Sequence, residues 1–222
     1  MAKKRRKDKE ETAPSAGRKA GADRRRALPN WPLLVPALAG MALTAYLTAT
    51  TLADSAPAFC AEGSSCDVVQ NSRWGSLLGI PTAGWGFLAY LTLAYIAMRV
   101  RDAGWHWQLS WLVAAVGLAV SVYLTVVSVV LIEAACFYCL ISLGLMALIT
   151  GIVTFQRPAG IEGFSWPSWG GQTAVIALVL IGAMHLHFSG VFDPAMGPED
   201  PYLRGLAEHL KTRGDQFYGA FW

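Results

Sequence analysis

The stretch CFYCLISLGLMALIT, residues 136–150, places two cysteines three positions apart directly before an uncharged apolar run. No Asp, Glu, Lys or Arg occurs from residue 134 to residue 156. A helix needs roughly 20 apolar residues to cross a bilayer, and this run is long enough. The stretch therefore predicts a membrane-crossing helix that carries the thiols of Cys136 and Cys139 at one end.

Four further uncharged runs surround this one. The mean hydropathy of the chain is +0.39, and only 15% of its 222 residues are charged, where a soluble domain usually has about a quarter. A soluble core of this size cannot bury so many apolar segments, so we expect an all-α membrane protein with five transmembrane helices. The runs cover residues 31–53, 74–98, 103–132, 134–156 and 163–192.

Basic residues are concentrated at the N-terminus. Eleven of the 18 Lys and Arg residues lie within positions 1–26, interspersed with Pro, Gly, Ala and Ser. Such a segment cannot bury enough apolar surface to fold, so residues 1–30 are predicted to form a disordered basic cytoplasmic arm. Acidic residues outnumber basic ones in the remainder, which argues against a nucleic-acid-binding face.

The positive-inside rule orients the five predicted helices. The basic arm places the N-terminus in the cytoplasm, and Arg99, Arg101 and Arg157 fall on the same side. The loop at residues 54–73 and the turn around Glu133 then face outward. All four cysteines lie on the outer face, the oxidising side where disulfides form and persist: Cys60, Cys66, Cys136 and Cys139.

A cleaved signal peptide is the alternative for the first apolar run, since APAF at residues 56–59 resembles a small-residue cleavage site. The run at 31–53 is longer than the usual core of about 7–15 residues, and the basic head is longer than a normal leading region. We therefore retain a transmembrane helix.

The spacing of Cys136 and Cys139 suits thiol chemistry. A cysteine at the first turn of a helix meets free amides and the positive end of the helix dipole, which stabilise a thiolate. Positions three apart share one helical face. A thiolate attacks a disulfide, and a second thiol nearby resolves the mixed disulfide. The motif predicts dithiol–disulfide cycling beside the apolar phase.

Cys60 and Cys66 are separated by a small, flexible linker, so their sulfurs can bond to each other or to other partners. Two inert structural disulfides, which would make the chain a structural membrane subunit, remain an alternative. A four-cysteine zinc site is disfavoured by the five-residue spacing, and no metal is expected. A transporter is disfavoured because the runs lack intramembrane charges and paired broken helices.

The stretch CDVVQNSRWGSLLGIPTAGWGFLAY, residues 66–90, resembles the loop and second helix of vitamin K epoxide reductase homologues. A loop cysteine is followed six residues later by a serine, then by Trp-Gly and a GFLAY-type helix: here Cys66, Ser72, Trp74 and Gly75. CFYC stands at the position of the family's C-x-x-C. The resemblance implies a four-helix transmembrane bundle around a quinone site, with a fifth transmembrane helix at its periphery.

The same resemblance implies a role for each cysteine. Cys136 and Cys139 would be the active-site pair, with Cys139 nearest the quinone. Cys60 would exchange with a thioredoxin-like partner, and Cys66 would relay electrons to Cys136. Leu143 stands where the animal enzymes carry a tyrosine, which favours a plain quinone of the ubiquinone, menaquinone or plastoquinone type over vitamin K epoxide.

Four further residues are candidates for the quinone site. Ser72 would position the loop or polarise a quinone oxygen. The three aromatic candidates have a plainer alternative as packing or interface anchors, the commoner fate of aromatic residues near membrane ends. They are Trp74, Phe87 and Phe137.

Taken together, the sequence predicts an oxidoreductase that passes electrons from a reduced thioredoxin-like protein to a quinone and supports disulfide formation outside the cytoplasm. A bacterial plasma membrane is the expected location. A DsbB-like four-helix oxidase is the runner-up. Residues 31–192 would form the membrane domain, and residues 193–222 an outer linker with the start of a truncated thioredoxin-like domain, since several bacterial relatives carry such a fusion.

Overall fold

The computed structural model describes residues 27–53, 55–60, 64–158, 165–191 and 201–213. Most of the predicted basic arm and the final residues 214–222 lie outside this range. The described chain is almost entirely helical. In order, its elements are α1 (Trp31–Leu52), α2 (Ser65–Gln70), a 3-10 turn (Arg73–Gly75), β1 (Ser76–Leu77), β2 (Ile80–Pro81), α3 (Thr82–Arg99), α4 (Ala103–Val130), α5 (Phe137–Phe155), α6 (Trp166–Phe188) and α7 (Pro201–Arg213).

Four helices in the described part of the chain are long and apolar enough to cross a membrane, namely α1, α4, α5 and α6. Helix α3, in the second predicted run, is less apolar and has 18 residues, or about 27 Å at 1.5 Å per residue. It runs antiparallel beside α1: the amide of Asn30 donates to the Ala97 carbonyl at one end, and Gly84 faces Thr48 near the other. Helix α3 therefore lies along most of the length of α1, its neighbour, which has 22 residues.

The helices α1, α3, α4 and α5 form a closed ring in which each packs against two others, and α6 packs outside the ring on α4. The predicted all-α membrane bundle with a peripheral fifth helix is confirmed. Tyr90 is fully buried inside the ring, where its hydroxyl donates to the Ser142 carbonyl and its ring lies against Gly40. An alanine at position 40 would not fit beside that ring.

The predicted helix over residues 74–98 starts later than expected. Residues 73–75 form the 3-10 turn, and β1 and β2 then form a two-stranded antiparallel hairpin. Its turn places both Leu78 and Gly79 at positive φ, 56° and 76°, the backbone of a tight hairpin turn. Pro81 then precedes α3. A run of apolar residues alone does not reveal this turn, which is why the helix prediction was eight residues too long at its start.

Arg99 and Arg157 lie at the end of the ring opposite the cysteines. The Asn30 side-chain amide donates to the Gln156 side chain at 2.9 Å, which joins the start of α1 to the end of α5. Arg99 ends α3, and Arg157 follows α5, so both belong to this end. The other end carries the loop after α1, helix α2 and the start of α5, which bear all the cysteines.

Candidate thiol–disulfide site

The four cysteines occupy two redox states. Cys60 and Cys66 form a disulfide, whereas Cys136 and Cys139 are free thiols. The side chains of Cys60, Cys66 and Cys136 are buried, with exposed fractions of 4%, 5% and 2%, and that of Cys139 is half-buried. Because two of the four sulfurs are bonded to each other, they do not supply four thiolate ligands for zinc.

The two pairs meet through one contact. The Sγ atom of Cys66 lies 3.7 Å from the Sγ atom of Cys136. Cys66 is held in the short helix α2, whose start is capped by the Ser64 hydroxyl accepting from the Asp67 amide. Cys136 directly precedes α5. A thiolate at Cys136 thus faces a sulfur of an existing disulfide, the arrangement that thiol–disulfide exchange requires.

The surroundings of Cys136 favour its thiolate. The pKa of the Cys136 thiol is lowered, chiefly by a hydrogen bond from the Cys139 thiol, and further by backbone amides of the first turn of α5 and by the Gln70 side chain. Burial opposes these hydrogen bonds but does not outweigh them. The amide of Gln70 also contacts the Cys66 sulfur at 3.6 Å. One side chain therefore touches both sulfurs of the contact.

Apolar side chains enclose the cysteines. Leu47 and Tyr138 form a buried cluster with Cys60, Cys66 and Cys136. Half-buried apolar side chains pack around this cluster, together with Cys139: Leu43, Val69 and Ala83. The exchange contact is shielded from water, while the half-buried Cys139 lies at the edge of the cluster.

The match to known proteins agrees with this geometry. Residues 31–154 match the Vitamin K epoxide reductase family. The chain belongs to this family. The thiol-disulfide oxidoreductase LTO1 of Arabidopsis thaliana is 24% identical over an aligned length of 204 residues, and the aligned region covers 81% of this chain and 53% of that protein. The chain thus spans about half the length of this curated relative. The family resemblance read from the sequence is confirmed.

The four residues that were expected to line a quinone in this family member have surroundings that differ from one another. The Ser72 hydroxyl donates to the Val69 carbonyl at 2.7 Å, at the end of α2. The Trp74 ring packs on Phe188 of α6, with ring centroids 4.5 Å apart. Phe87 is half-buried on α3. Phe137 is 61% exposed and touches the neighbouring Tyr138 ring. The recorded contacts of these four residues are to different parts of the fold, and their roles at a quinone stay predictions.

Two residues near the cysteines in this family member were not expected from the sequence. Gln70 lies four residues after Cys66. Had a helix been predicted at residues 65–70, this spacing would have placed both side chains on one face. Tyr46 on α1 accepts a hydrogen bond from the Ala58 amide at 2.7 Å. Nothing in the sequence pattern relates Tyr46 to Ala58, because their contact arises from the path of the loop after α1.

Proposed function

We propose that this chain is a membrane thiol–disulfide oxidoreductase that moves electrons from a reduced thioredoxin-like protein, through Cys60 and Cys66 and then Cys136 and Cys139, to a quinone. The observation that carries this proposal is the 3.7 Å contact between the sulfurs of Cys66 and Cys136. Two inert disulfides have no need of a thiol with a lowered pKa facing a disulfide sulfur. The family and the LTO1 relative support the same class of reaction.

The first exchange takes electrons from the partner. A partner thiolate attacks Cys60, so that a partner–Cys60 bond forms while the Cys60–Cys66 bond breaks and Cys66 leaves as a thiolate. The partner's second thiolate then attacks the mixed disulfide and releases Cys60. The partner becomes oxidised, and the loop pair becomes a dithiol.

The second exchange passes those electrons inward. The Cys66 thiolate attacks Cys136 of an oxidised Cys136–Cys139 pair, forming a Cys66–Cys136 bond and releasing Cys139 as a thiolate. Cys60 then attacks Cys66, which restores Cys60–Cys66 and releases Cys136. The bonding in the structure, with the loop pair oxidised and the helix pair reduced, corresponds to the state after this step.

The surroundings of Cys139 fit an apolar electron acceptor. Cys139 is half-buried, and apolar Leu43 and Ala83 pack around the same cluster. Phe87 lies one turn further along α3 on the face that bears Ala83. These residues would hold the ring of a quinone, while Cys139 supplies the sulfur nearest to it. When bound, a quinone accepts two electrons and two protons.

The positive-inside rule favours a cytoplasmic position for the end that bears Arg99 and Arg157. Arg99 and Arg157 lie at the end of the ring opposite the cysteines. We therefore place the thiol–disulfide site on the extracytoplasmic face of a bacterial plasma membrane, where a reduced thioredoxin-like protein or fused domain meets Cys60.

Substitution of Cys139 tests this function. The purified protein is supplied with a reduced thioredoxin-like protein and a soluble quinone, and quinone reduction is followed by absorbance. Turnover is expected for the unsubstituted chain and is expected to be lost in Cys139→Ala. Ser142→Ala, on the same helix one turn away, serves as the matched control and retains turnover. Undiminished turnover in Cys139→Ala contradicts the proposal.

A further inference from the structure

The segment just before Cys60 turns that residue inward. Cys60 is only 4% exposed, although a partner thiolate has to reach its sulfur. The preceding residue, Phe59, is 97% exposed and has a positive φ of 64°. Bulky residues rarely adopt this left-handed backbone unless their surroundings impose it. Contacts with neighbouring residues therefore hold this segment in the conformation that buries Cys60.

Two tyrosines from different helices hold the backbone of Ala58, one residue before that strained position. The Ala58 amide donates to the Tyr46 hydroxyl at 2.7 Å, and the Tyr138 hydroxyl donates to the Ala58 carbonyl. The two rings lie side by side, with centroids 6.3 Å apart. Tyr46 belongs to α1, and Tyr138 stands inside the C-x-x-C of α5. The loop is thus tied to the helix that bears the thiol pair.

We propose that Tyr46 and Tyr138 form a latch: they are positioning residues that keep Cys60 buried while Cys66 exchanges with Cys136. This inference rests on the proposed function, because that function requires Cys60 to be reached from outside. Release of Ala58 removes the restraint on Phe59 and turns Cys60 outward. An external thiolate then bonds to Cys60 as the Cys60–Cys66 bond breaks and Cys66 leaves as a thiolate.

The latch explains how one loop serves two exchanges in turn. When it is closed, the Cys66 sulfur sits 3.7 Å from Cys136 and Cys60 is shielded. When it is open, Cys60 is exposed, and a loop that swings away carries Cys66 from Cys136. The hydrogen bonds to Ala58 therefore set the balance between internal exchange and attack from outside.

The test measures access to the loop disulfide without using the partner or a quinone. In a chain that carries Cys136→Ser and Cys139→Ser, tris(2-carboxyethyl)phosphine reduces the Cys60–Cys66 disulfide, with water supplying the oxygen of the phosphine oxide. Alkylation and mass measurement give the reduction rate. Loss of one hydroxyl, in Tyr46→Phe or in Tyr138→Phe, is expected to speed reduction about two- to tenfold, the factor that one net hydrogen bond represents.

Tyr95→Phe is the matched control, since Tyr95 is 59% exposed on α3, away from the loop; its reduction rate is expected to match the unsubstituted one. Thermal unfolding separates the latch from general loosening: one lost hydrogen bond should lower the unfolding midpoint by only about 2–4 °C, and faster reduction measured well below that midpoint reports local opening of the loop. Reduction rates unchanged in both tyrosine variants would overturn the latch. If the unsubstituted chain reduced no quinone, the proposed function would be overturned, whereas an effect of the two tyrosines on the reduction rate of the loop disulfide would still stand.

Discussion

The sulfur of Cys136 lies 3.7 Å from the sulfur of Cys66, although 70 residues separate them in the sequence. One belongs to a free thiol, and the other to a disulfide with Cys60. The contact joins a loop to the start of a membrane-spanning helix. The residues around this contact should each influence the reactivity of Cys136, and each influence can be measured by its own substitution.

Gln70 is expected to promote the reactivity of Cys136. Its side chain contacts Cys66 and helps to lower the pKa of the Cys136 thiol. Gln70→Ala should raise that pKa and slow alkylation of Cys136 by iodoacetamide at neutral pH about fivefold, as expected for one lost hydrogen bond. Peptide mass spectrometry resolves alkylation at each cysteine. Asn71→Ala is the control, because its amide instead binds Asp67 at 2.7 Å, and an equal effect in both variants would refute this role.

The reactivity of Cys136 should depend on pH through its neighbour. A thiol with a lowered pKa is a thiolate at lower pH, and the largest cause here is the hydrogen bond from Cys139. With Cys60→Ser and Cys66→Ser in every chain compared, so that no bridge can form to Cys136, the midpoint of the Cys136 alkylation rate against pH should move upward in Cys139→Ala. Rates should fall below the unsubstituted rates on the acidic side and converge where the thiolate is complete in both.

Cys139→Ser is the informative control for this pH dependence, since its hydroxyl still donates a hydrogen bond. Its midpoint should lie closer to that of the unsubstituted chain than the alanine midpoint does. Coinciding midpoints for all three chains would show that Cys139 does not stabilise the Cys136 thiolate.

Gly75 should tolerate no side chain. A Cβ at this position would lie 2.0 Å from the Gln70 carbonyl oxygen, so Gly75→Ala forces the backbone after α2 to move. We expect a loss of about 1–3 kcal/mol in the free energy of unfolding, typical of overpacking, and slower Cys66–Cys136 exchange. Gly144→Ala in α5 has open space and should change stability by about 1 kcal/mol or less. Equal stability of both variants by denaturant unfolding in detergent would contradict this expectation.

The proposed orientation predicts which ends of the helices meet a label outside the cell. In a chain without its native cysteines, Ser55→Cys should react with a membrane-impermeant maleimide on intact cells. Arg101→Cys should react only after the membrane is permeabilised. The opposite pattern would place the thiol–disulfide site in the cytoplasm and remove the basis for an oxidising role.

The membrane helices could be predicted from the sequence because each is an uncharged apolar run of sufficient length. The start of α3 could not. The run at 74–98 is apolar throughout, yet the helix begins only at Thr82, because Leu78 and Gly79 turn the chain back on itself. Hydropathy records burial in lipid and carries little information about backbone turns.

The four cysteines, and the exchange between Cys66 and Cys136, could also be predicted from spacing and resemblance, but the geometry of their contact could not. The 3.7 Å approach of Cys66 to Cys136 depends on how α2 sits over the start of α5. The same holds for the ties from Tyr46 and Tyr138 to Ala58. Contacts between residues distant in sequence are set by tertiary packing, which a single sequence does not display.

Sulfur pairing in the Cys139→Ala variant tests the central claim most directly. Free thiols are blocked with an alkylating reagent at low pH, and mass spectrometry of the digested chain identifies each bridge. Without Cys139 to resolve it, a Cys66–Cys136 bridge should accumulate with Cys60 alkylated, and Cys136→Ala should show no bridge between Cys66 and Cys139. A Cys139→Ala chain that holds only the Cys60–Cys66 bridge, with Cys136 always alkylated, would contradict exchange between the two pairs.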